Sequence, residues 1–225
     1  MLEPEALQAA VLAAAGELQA LMNQLGLAAR SAPTAKLVFD SDLRASLRRS
    51  LQFGRSEFVS VESPLGKRGV LAEPSDVVVA ARSRIPQLAV EVRWHPRGED
   101  HAGFVQQVMW DIAKLALART RESVEQAVVL IAAPGKFWRW LPGYSEDRAG
   151  YQLLDPDPEI PASAKSDFLA APEWDAMFAG GMDEELPDRL WTQLLGVSDI
   201  RSPWADAELR NLEVKGLGTP APVRG

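Results

Sequence analysis

Residues 74–79 read PSDVVV and residues 88–94 read LAVEVRW, and these two stretches decide the fold. Each contains a run of apolar, mostly β-branched residues, which is typical of strands covered on both faces. The segment between them, Arg82–Gln87, contains Pro86 and is short enough for a turn. We therefore expect the two strands to form an antiparallel hairpin.

The flanking sequence supplies helices on either side of this hairpin and two further strands. We expect a first helix over Glu3–Leu27. A second helix is capped by Asp40 or Ser41, turns Leu43, Leu47 and Leu51 inward and ends at Gly54. The remaining elements, in chain order, are strands Phe58–Val61, Val77–Ala80 and Leu88–Trp94, helix Phe104–Arg119 and strand Ala127–Ala132. A helix between the last two strands permits a parallel crossover. The sequence therefore predicts an α/β fold. Its α-β-β-β-α-β core has a central mixed sheet flanked by helices, with an N-terminal helix and an irregular C-terminal extension added.

Regular patterns fade after Trp138, and this divides the chain into three parts. They are an N-terminal helix over 1–30, the α/β core over 35–140, and an acidic, partly helical C-terminal extension over 141–225. Within the extension, Trp174–Phe178 and Pro187–Leu195 are predicted to be short helices. The end of the chain from Lys215 is rich in Gly and Pro and is expected to fray.

Charge is distributed unevenly along the 225 residues. The formal net charge is −7, yet residues 30–97 carry 12 basic and 7 acidic side chains, and residues 140–225 carry 7 basic and 16 acidic ones. Such asymmetry can indicate a site for an anionic partner together with an acidic appendage. The alternative is an ordinary solvated surface.

The composition excludes several classes of protein. The chain has no cysteine, so disulfides, cysteine-ligated metal sites and thiol nucleophiles are ruled out. No apolar run approaches the length that a bilayer requires, and the apolar start lacks a basic leader. We expect no membrane association and a cytoplasmic location.

Three charged residues on the predicted hairpin carry most of the functional signal. Asp76 stands at the entrance of one strand, and Glu91 and Arg93 leave the same face of the other because they are two residues apart. The start of one hairpin strand lies near the end of the next, so all three side chains should meet. Two carboxylates with backbone oxygen and water suit Mg²⁺, or Mn²⁺ in its place, and a neighbouring cation can hold phosphate oxygens.

In these residues the sequence resembles the PD-(D/E)XK nuclease superfamily, which has the restriction-endonuclease-like fold. The resemblance covers roughly residues 37–135, with Pro74–Val79 and Glu91–Arg93 as the motif and 14 residues between Asp76 and Glu91. It implies that Asp76 and Glu91 are metal ligands in a phosphodiester hydrolase. The chain departs from the family pattern where Ser75 separates Pro74 from Asp76, and where Arg93 stands in place of the lysine.

The resemblance also implies further site residues. Family members often add an acidic residue from the first helix or first strand, a role open to Asp42, Glu57 or Glu62, of which we favour Glu62. They often add a polar group from the helix after the motif. Gln107 fits that place, with Asp111 and Lys114 on the same helical face.

Purely structural interpretations stand beside the functional ones. Glu91 and Arg93 could form a plain ion pair on a half-exposed strand, and Asp76 could cap a turn. An ordinary surface pair is the more frequent role for Asp111 and Lys114, which are three residues apart on a helix.

Two functional hypotheses follow. In the first, the chain is a Mg²⁺-dependent nuclease in which basic residues follow the nucleic-acid backbone: Arg44, Arg48, Arg49, Arg55, Lys67 and Arg68. In the second, the same fold is a non-catalytic module that binds nucleic acid or protein, since arginine cannot act as a base. A second copy of the chain or a protein partner could bind through the C-terminal extension.

Two smaller clusters remain open at this point. His95, Glu99 and His101 lie in one predicted loop and could bind a metal ion, although the loop could equally contact a nucleic-acid backbone. Trp138, Trp140 and Tyr144 could stack bases, although such aromatic clusters are more often part of a core or a lid.

Overall fold

The computed structural model describes residues 2–29, 40–53, 58–66, 74–80, 85–95, 100–120, 122–146, 191–203 and 205–215. Four helices and six strands lie in these ranges. The helices are α1 (Pro4–Ala29), α2 (Asp40–Gln52), α3 (His101–Thr120) and α4 (Gly135–Glu146). The strands are β1 (Val59–Pro64), β2 (Pro74–Val79), β3 (Leu88–Trp94), β4 (Gln126–Ala133), β5 (Trp191–Ser202) and β6 (Ala205–Lys215).

The six strands form one mixed sheet in the order β1-β2-β3-β4-β6-β5. β1, β2 and β3 are antiparallel neighbours, β3 and β4 are parallel, and β6 is antiparallel to both β4 and β5. The predicted α/β class, the antiparallel hairpin and the parallel crossover through α3 are therefore confirmed. The α-β-β-β-α-β core corresponds to α2, β1, β2, β3, α3 and β4.

Two hydrophobic layers enclose the sheet, and the alternation of side chains along each strand sends residues to one layer or the other. One layer contains Val90 and Val92 of β3 beside the leucines of α1 and α2. The other contains Ala89 beside α3 and α4. Every residue of β4 is buried because this strand lies inside the sheet and is covered on both faces. Glu91 and Arg93 are in phase with Ala89 and so point toward α3.

The C-terminal part of the described chain corrects the sequence prediction. Residues 191–195, expected in a short helix, belong to β5, and β6 lies next to the buried β4 inside the sheet. Of the predicted extension, residues 141–146 complete α4, and the described residues of 191–215 form a hairpin within the sheet. Residues 174–178 lie outside the described residues. Helix α4 was not predicted, and its Phe137 and Trp138 complete the core on the α3 side.

No helix in the described ranges combines the length and the apolar character needed to cross a bilayer.

Candidate active site

The candidate site lies where β2 and β3 separate. Paired residues in the hairpin extend from Val79 opposite Leu88 to Val77 opposite Val90. Beyond that point the Asp76 carboxylate replaces the strand partner, because its Oδ2 accepts a hydrogen bond of 2.7 Å from the backbone N–H of Val92. Two residues further along β3, the Asp40 carboxylate accepts a hydrogen bond from the backbone N–H of Trp94 in the same way. The separation of the strands thus brings carboxylates into the gap in the sheet.

Glu91 is buried, with 3% of its surface exposed. Its Oε1 lies 2.8 Å from the Nζ of Lys114, which is buried too and also donates a 2.8 Å hydrogen bond to the carbonyl of Pro74. Burial, followed by the negative charge of Asp111, raises the pKa of Glu91 to about 7, and Lys114 acts in the opposite direction. Although it lies in ion-pair contact with Lys114, the buried Oε1 of Glu91 has no hydrogen-bond partner of good geometry among the described residues.

Arg93 is held by Asp111 in a two-pronged ion pair. Its Nε lies 2.5 Å from Oδ2 and its Nη2 lies 2.8 Å from Oδ1 of that carboxylate. Asp111 is 2% exposed, and burial raises its pKa although Arg93 counters the shift. The expected surface pair between Asp111 and Lys114 is therefore wrong: both are buried, and each contacts a residue of β3. Glu91 and Arg93 likewise pair with α3 and not with each other.

Arg44 joins α2 to the two neighbouring strands. Its guanidinium lies 2.9 Å from Asp76 Oδ1 and 2.6 Å from Glu62 Oε1. Glu62 is therefore brought close to Asp76 through Arg44, although its own side chain is 66% exposed and its φ angle is 53°. Asp42 lies in the first turn of α2 and is half-buried. Glu57 lies outside the described residues.

The other predicted site residues are Gln107 of α3 and five basic residues, of which the structure describes Arg48 and Arg49. Gln107 is exposed on α3, one turn before Asp111. Arg48 donates to the Val59 carbonyl at 3.3 Å, and Arg49 pairs with Glu17 of α1 at 2.7 Å, so both α2 cations are engaged within the chain. Arg55, Lys67 and Arg68 lie outside the described residues.

Together these side chains form a cluster, which we call the carboxylate cluster, with more acidic than basic groups. Its basic members are Arg44, Arg93 and Lys114, and its acidic members are Asp40, Glu62, Asp76, Glu91 and Asp111. From the sequence, Asp40 was expected only to cap a helix, and Asp111 and Lys114 were placed on the helical face of Gln107 but interpreted as a surface pair. The position of Asp40 at an N-cap and the helical phase of Lys114 with Asp111 were the available signals.

A second cluster, which we call the histidine cluster, lies just after the end of β3. His95 is buried, its Nε2 lies 2.6 Å from His101 Nδ1, and its ring stacks on Phe104 with centroids 4.3 Å apart. Burial lowers the pKa of His95 to about 4, so the ring is neutral at pH 7. Glu99 lies outside the described residues. Within the described ranges, no three histidine or acidic side chains are arranged to hold a metal ion by themselves.

Comparison with known proteins gives no match: no family profile, no curated protein and no solved structure is significantly similar to the chain.

Proposed function

We propose that the chain hydrolyses phosphodiester bonds of nucleic acid with a divalent metal ion held by Asp76 and Glu91. The observation that carries this proposal is the ion pair between Glu91 and Lys114. The family pattern requires a lysine beside the second carboxylate, and the sequence has Arg93 at that position. In the structure an ammonium group lies beside Glu91, supplied by α3.

The carboxylate cluster fits a hard cation such as Mg²⁺ or Mn²⁺. Such ions bind oxygen ligands and commonly use one or two carboxylates, with water and substrate phosphate completing the shell. The Oε1 atom of Glu91 has no hydrogen-bond partner of good geometry among the described residues, and each oxygen of Asp76 retains a lone pair beyond the contact described above. The excess of acidic over basic groups in the cluster also favours a cation.

Asp76 and Glu91 would hold the ion, which when bound would polarise the scissile phosphate and lower the pKa of a bound water. Lys114 would orient that water and place positive charge beside it. Arg93 would use its remaining Nη1 to contact a phosphate oxygen and stabilise negative charge that develops there. Gln107, exposed one turn before Asp111, would contact the substrate from α3.

A specific observation favours a second candidate, a non-catalytic module. Asp76, Glu91 and Asp111 each have a basic partner, Arg44, Lys114 and Arg93 respectively. Carboxylates paired in this way can have a purely structural role. Removing one partner of a buried ion pair strongly destabilises the folded state, because the other charge is left buried without compensation. On this account the same scaffold would bind nucleic acid or protein without cleaving it.

Cleavage assays separate the two candidates. We expect the native chain to cut single-stranded, duplex or plasmid nucleic acid with Mg²⁺ or Mn²⁺. Asp76→Asn and Glu91→Gln, which keep side-chain size, should abolish the cutting. Gln107→Ala serves as the graded control, with a smaller loss. Cutting that survives both carboxylate substitutions would overturn the assignment, and no cutting by the folded native chain would favour the non-catalytic module.

A further inference from the structure

Helix α4 presents an outward face that combines positive charge with aromatic rings. Arg139 and Trp140 follow Lys136 by three and four residues, and Gly143 and Tyr144 follow Trp140 by three and four residues, so all five share one side of the helix. Lys136 and Arg139 are exposed, and Trp140 and Tyr144 are half-buried. Between Gly135 and Tyr144 the helix contains no acidic residue. We call this surface the α4 face.

The aromatic rings of the α4 face are held in place from inside. Trp140 packs against His101 with ring centroids 5.0 Å apart, and Tyr144 stacks on Trp140 at 4.4 Å with an angle of 27°. Phe137 lies beneath, 6.0 Å from Trp140 and 5.5 Å from His101. The stacked pair is therefore part of a larger ring cluster anchored in the core, and rigid aromatic groups bind flat ligands with little ordering cost.

The cations of the α4 face differ from those of α2. The three α2 arginines contact Glu62, Asp76, Glu17 and the Val59 carbonyl within the chain. Lys136 and Arg139 form no ion pair with any residue in the described ranges. Free cations can neutralise phosphates without first breaking an internal contact, so the α4 face is better suited than α2 to a polyanion.

The α4 face also lies close to the proposed catalytic groups. The chain runs from Glu91 and Arg93 of β3 to the buried His95 just after this strand, and His95 contacts the ring cluster through His101, Phe104 and Phe137. Four residues of strand span about 13 Å. A few nucleotides cover that distance, since stacked nucleotides of one strand are about 3.4 Å apart.

We infer that the α4 face binds single-stranded nucleic acid, with bases stacked beside Trp140 and Tyr144 and phosphates beside Lys136 and Arg139. A single strand is favoured over a duplex because its bases are free to stack on rings, and alternating cations and aromatic rings match its alternating phosphates and bases. The inference rests on the proposed function for the direction in which the strand continues, toward Asp76 and Glu91.

Binding measured by fluorescence anisotropy tests the inference. The probes are labelled 12-nucleotide oligo-dT and oligo-rU, a duplex of the same length and poly-glutamate, and the protein is the full chain with EDTA present to prevent cutting. We expect one or both single strands to bind more tightly than the duplex. Preference for the duplex, equal binding of poly-glutamate, or binding of neither single strand would overturn the inference.

Substitutions locate the bound strand. Trp140→Ala should weaken binding about tenfold, the usual effect of losing one base stack. Trp140→Leu retains apolar packing and should cause a similar loss, which separates stacking from folding. Phe53→Ala is the matched aromatic control, since this ring is 88% exposed at the end of α2 and should leave affinity unchanged. Equal effects of Trp140→Leu and Phe53→Ala would contradict the inference.

The salt dependence isolates the two cations. Each phosphate contact on a single strand contributes about 0.7 to the slope of log affinity against log salt. The double substitution Lys136→Ala and Arg139→Ala should therefore reduce the slope by about 1.4. Arg201→Ala, at an exposed residue of β5 paired with Asp199, is the control and should not change it. An unchanged slope in the double variant would contradict the inference.

The outcomes distinguish this inference from the proposed function. Loss of binding in the Trp140 variants, without any metal-dependent cutting by the native chain, would leave the α4 face standing and remove the hydrolase. If cutting depends on Asp76 and Glu91 but binding is unchanged by the α4 substitutions, the proposed hydrolase would stand and the inference about the α4 face would be wrong.

Discussion

The carboxylate cluster on β3 and the histidine cluster just after this strand show two ways in which this protein buries ionisable groups. In the carboxylate cluster, Glu91 and Arg93 are matched by Lys114 and Asp111 of α3. Four residues along, His95 has no oppositely charged hydrogen-bond partner among the described residues, and burial among aromatic rings keeps the imidazole neutral. Charged side chains are thus retained in the carboxylate cluster, whereas the buried histidine is neutral. Because burying a charged group costs free energy, the carboxylate cluster is the better candidate for a catalytic site.

The largest expected effect comes from removing one partner in the carboxylate cluster. Lys114→Met leaves Glu91 buried without its cation, and we expect a loss of roughly 3–5 kcal/mol in the free energy of unfolding at pH 8. The loss should be smaller at pH 6, because Glu91, whose pKa is already about 7, can then take up a proton. Urea unfolding at the two pH values measures both.

The control for this substitution is Lys136→Met, at an exposed lysine of α4, which should change stability by less than about 0.5 kcal/mol. Equal losses in the free energy of unfolding at the two positions, or a loss for Lys114→Met that becomes smaller as pH rises, would show that the pairing of Glu91 with Lys114 does not stabilise the fold.

Arg93→Lys tests whether the two-pronged contact with Asp111 matters in itself. Lysine keeps the charge but cannot form the paired Nε and Nη2 contacts, so one charged hydrogen bond to a buried carboxylate is lost. We expect a loss of roughly 1.5–3 kcal/mol in thermal or urea unfolding. A variant as stable as the native chain would mean that Asp111 accepts any cation at this position.

The histidine cluster should make stability depend on pH in its own way. The pKa of His95 is about 4 in the folded chain and 6.5 in the unfolded one, so the unfolded chain takes up the proton first. The contribution is therefore complete above pH 6.5 and is lost as pH falls toward 4. We expect a loss of roughly 2.5–3 kcal/mol over that interval.

The comparison that isolates this contribution is His95→Phe, which retains the stack on Phe104 but has no group to protonate. Stability measured from pH 7 to pH 4 should decline less steeply in this variant than in the native chain. Parallel declines would show that His95 does not titrate as a buried neutral ring.

The smallest effect is expected where charges pair on the surface. Arg49 and Glu17 lie 2.7 Å apart but are 61% and 41% exposed, and such pairs contribute about 0.2–1 kcal/mol. Arg49→Ala should stay within that range and should matter even less in 1 M salt. A loss comparable to that of Lys114→Met would contradict the distinction between buried and exposed pairs.

Local sequence patterns were sufficient for the core but not for its C-terminal half. Leu43, Leu47 and Leu51 are buried as predicted, and PSDVVV and LAVEVRW form the predicted hairpin. β5 and β6 were missed because charged residues interrupt them and because β6 pairs with β4, about 80 residues earlier in the chain. Pairing over such a distance leaves no local signal.

The site shows the same division. The meeting of Asp76, Glu91 and Arg93 follows from strand geometry, and the structure places them in one cluster. The partners of Glu91 and Arg93 could not be assigned, because Asp111 and Lys114 have the spacing of a surface pair. Only the packing of α3 against the sheet turns both side chains inward.

Calorimetric titration with Mn²⁺ tests the central claim most directly. If Asp76 and Glu91 hold a divalent ion, the native chain should bind one Mn²⁺, and both Asp76→Asn and Glu91→Gln should abolish the binding heat while the variants remain folded. The absence of a binding heat for the native chain, or binding that persists in both variants, would contradict the account.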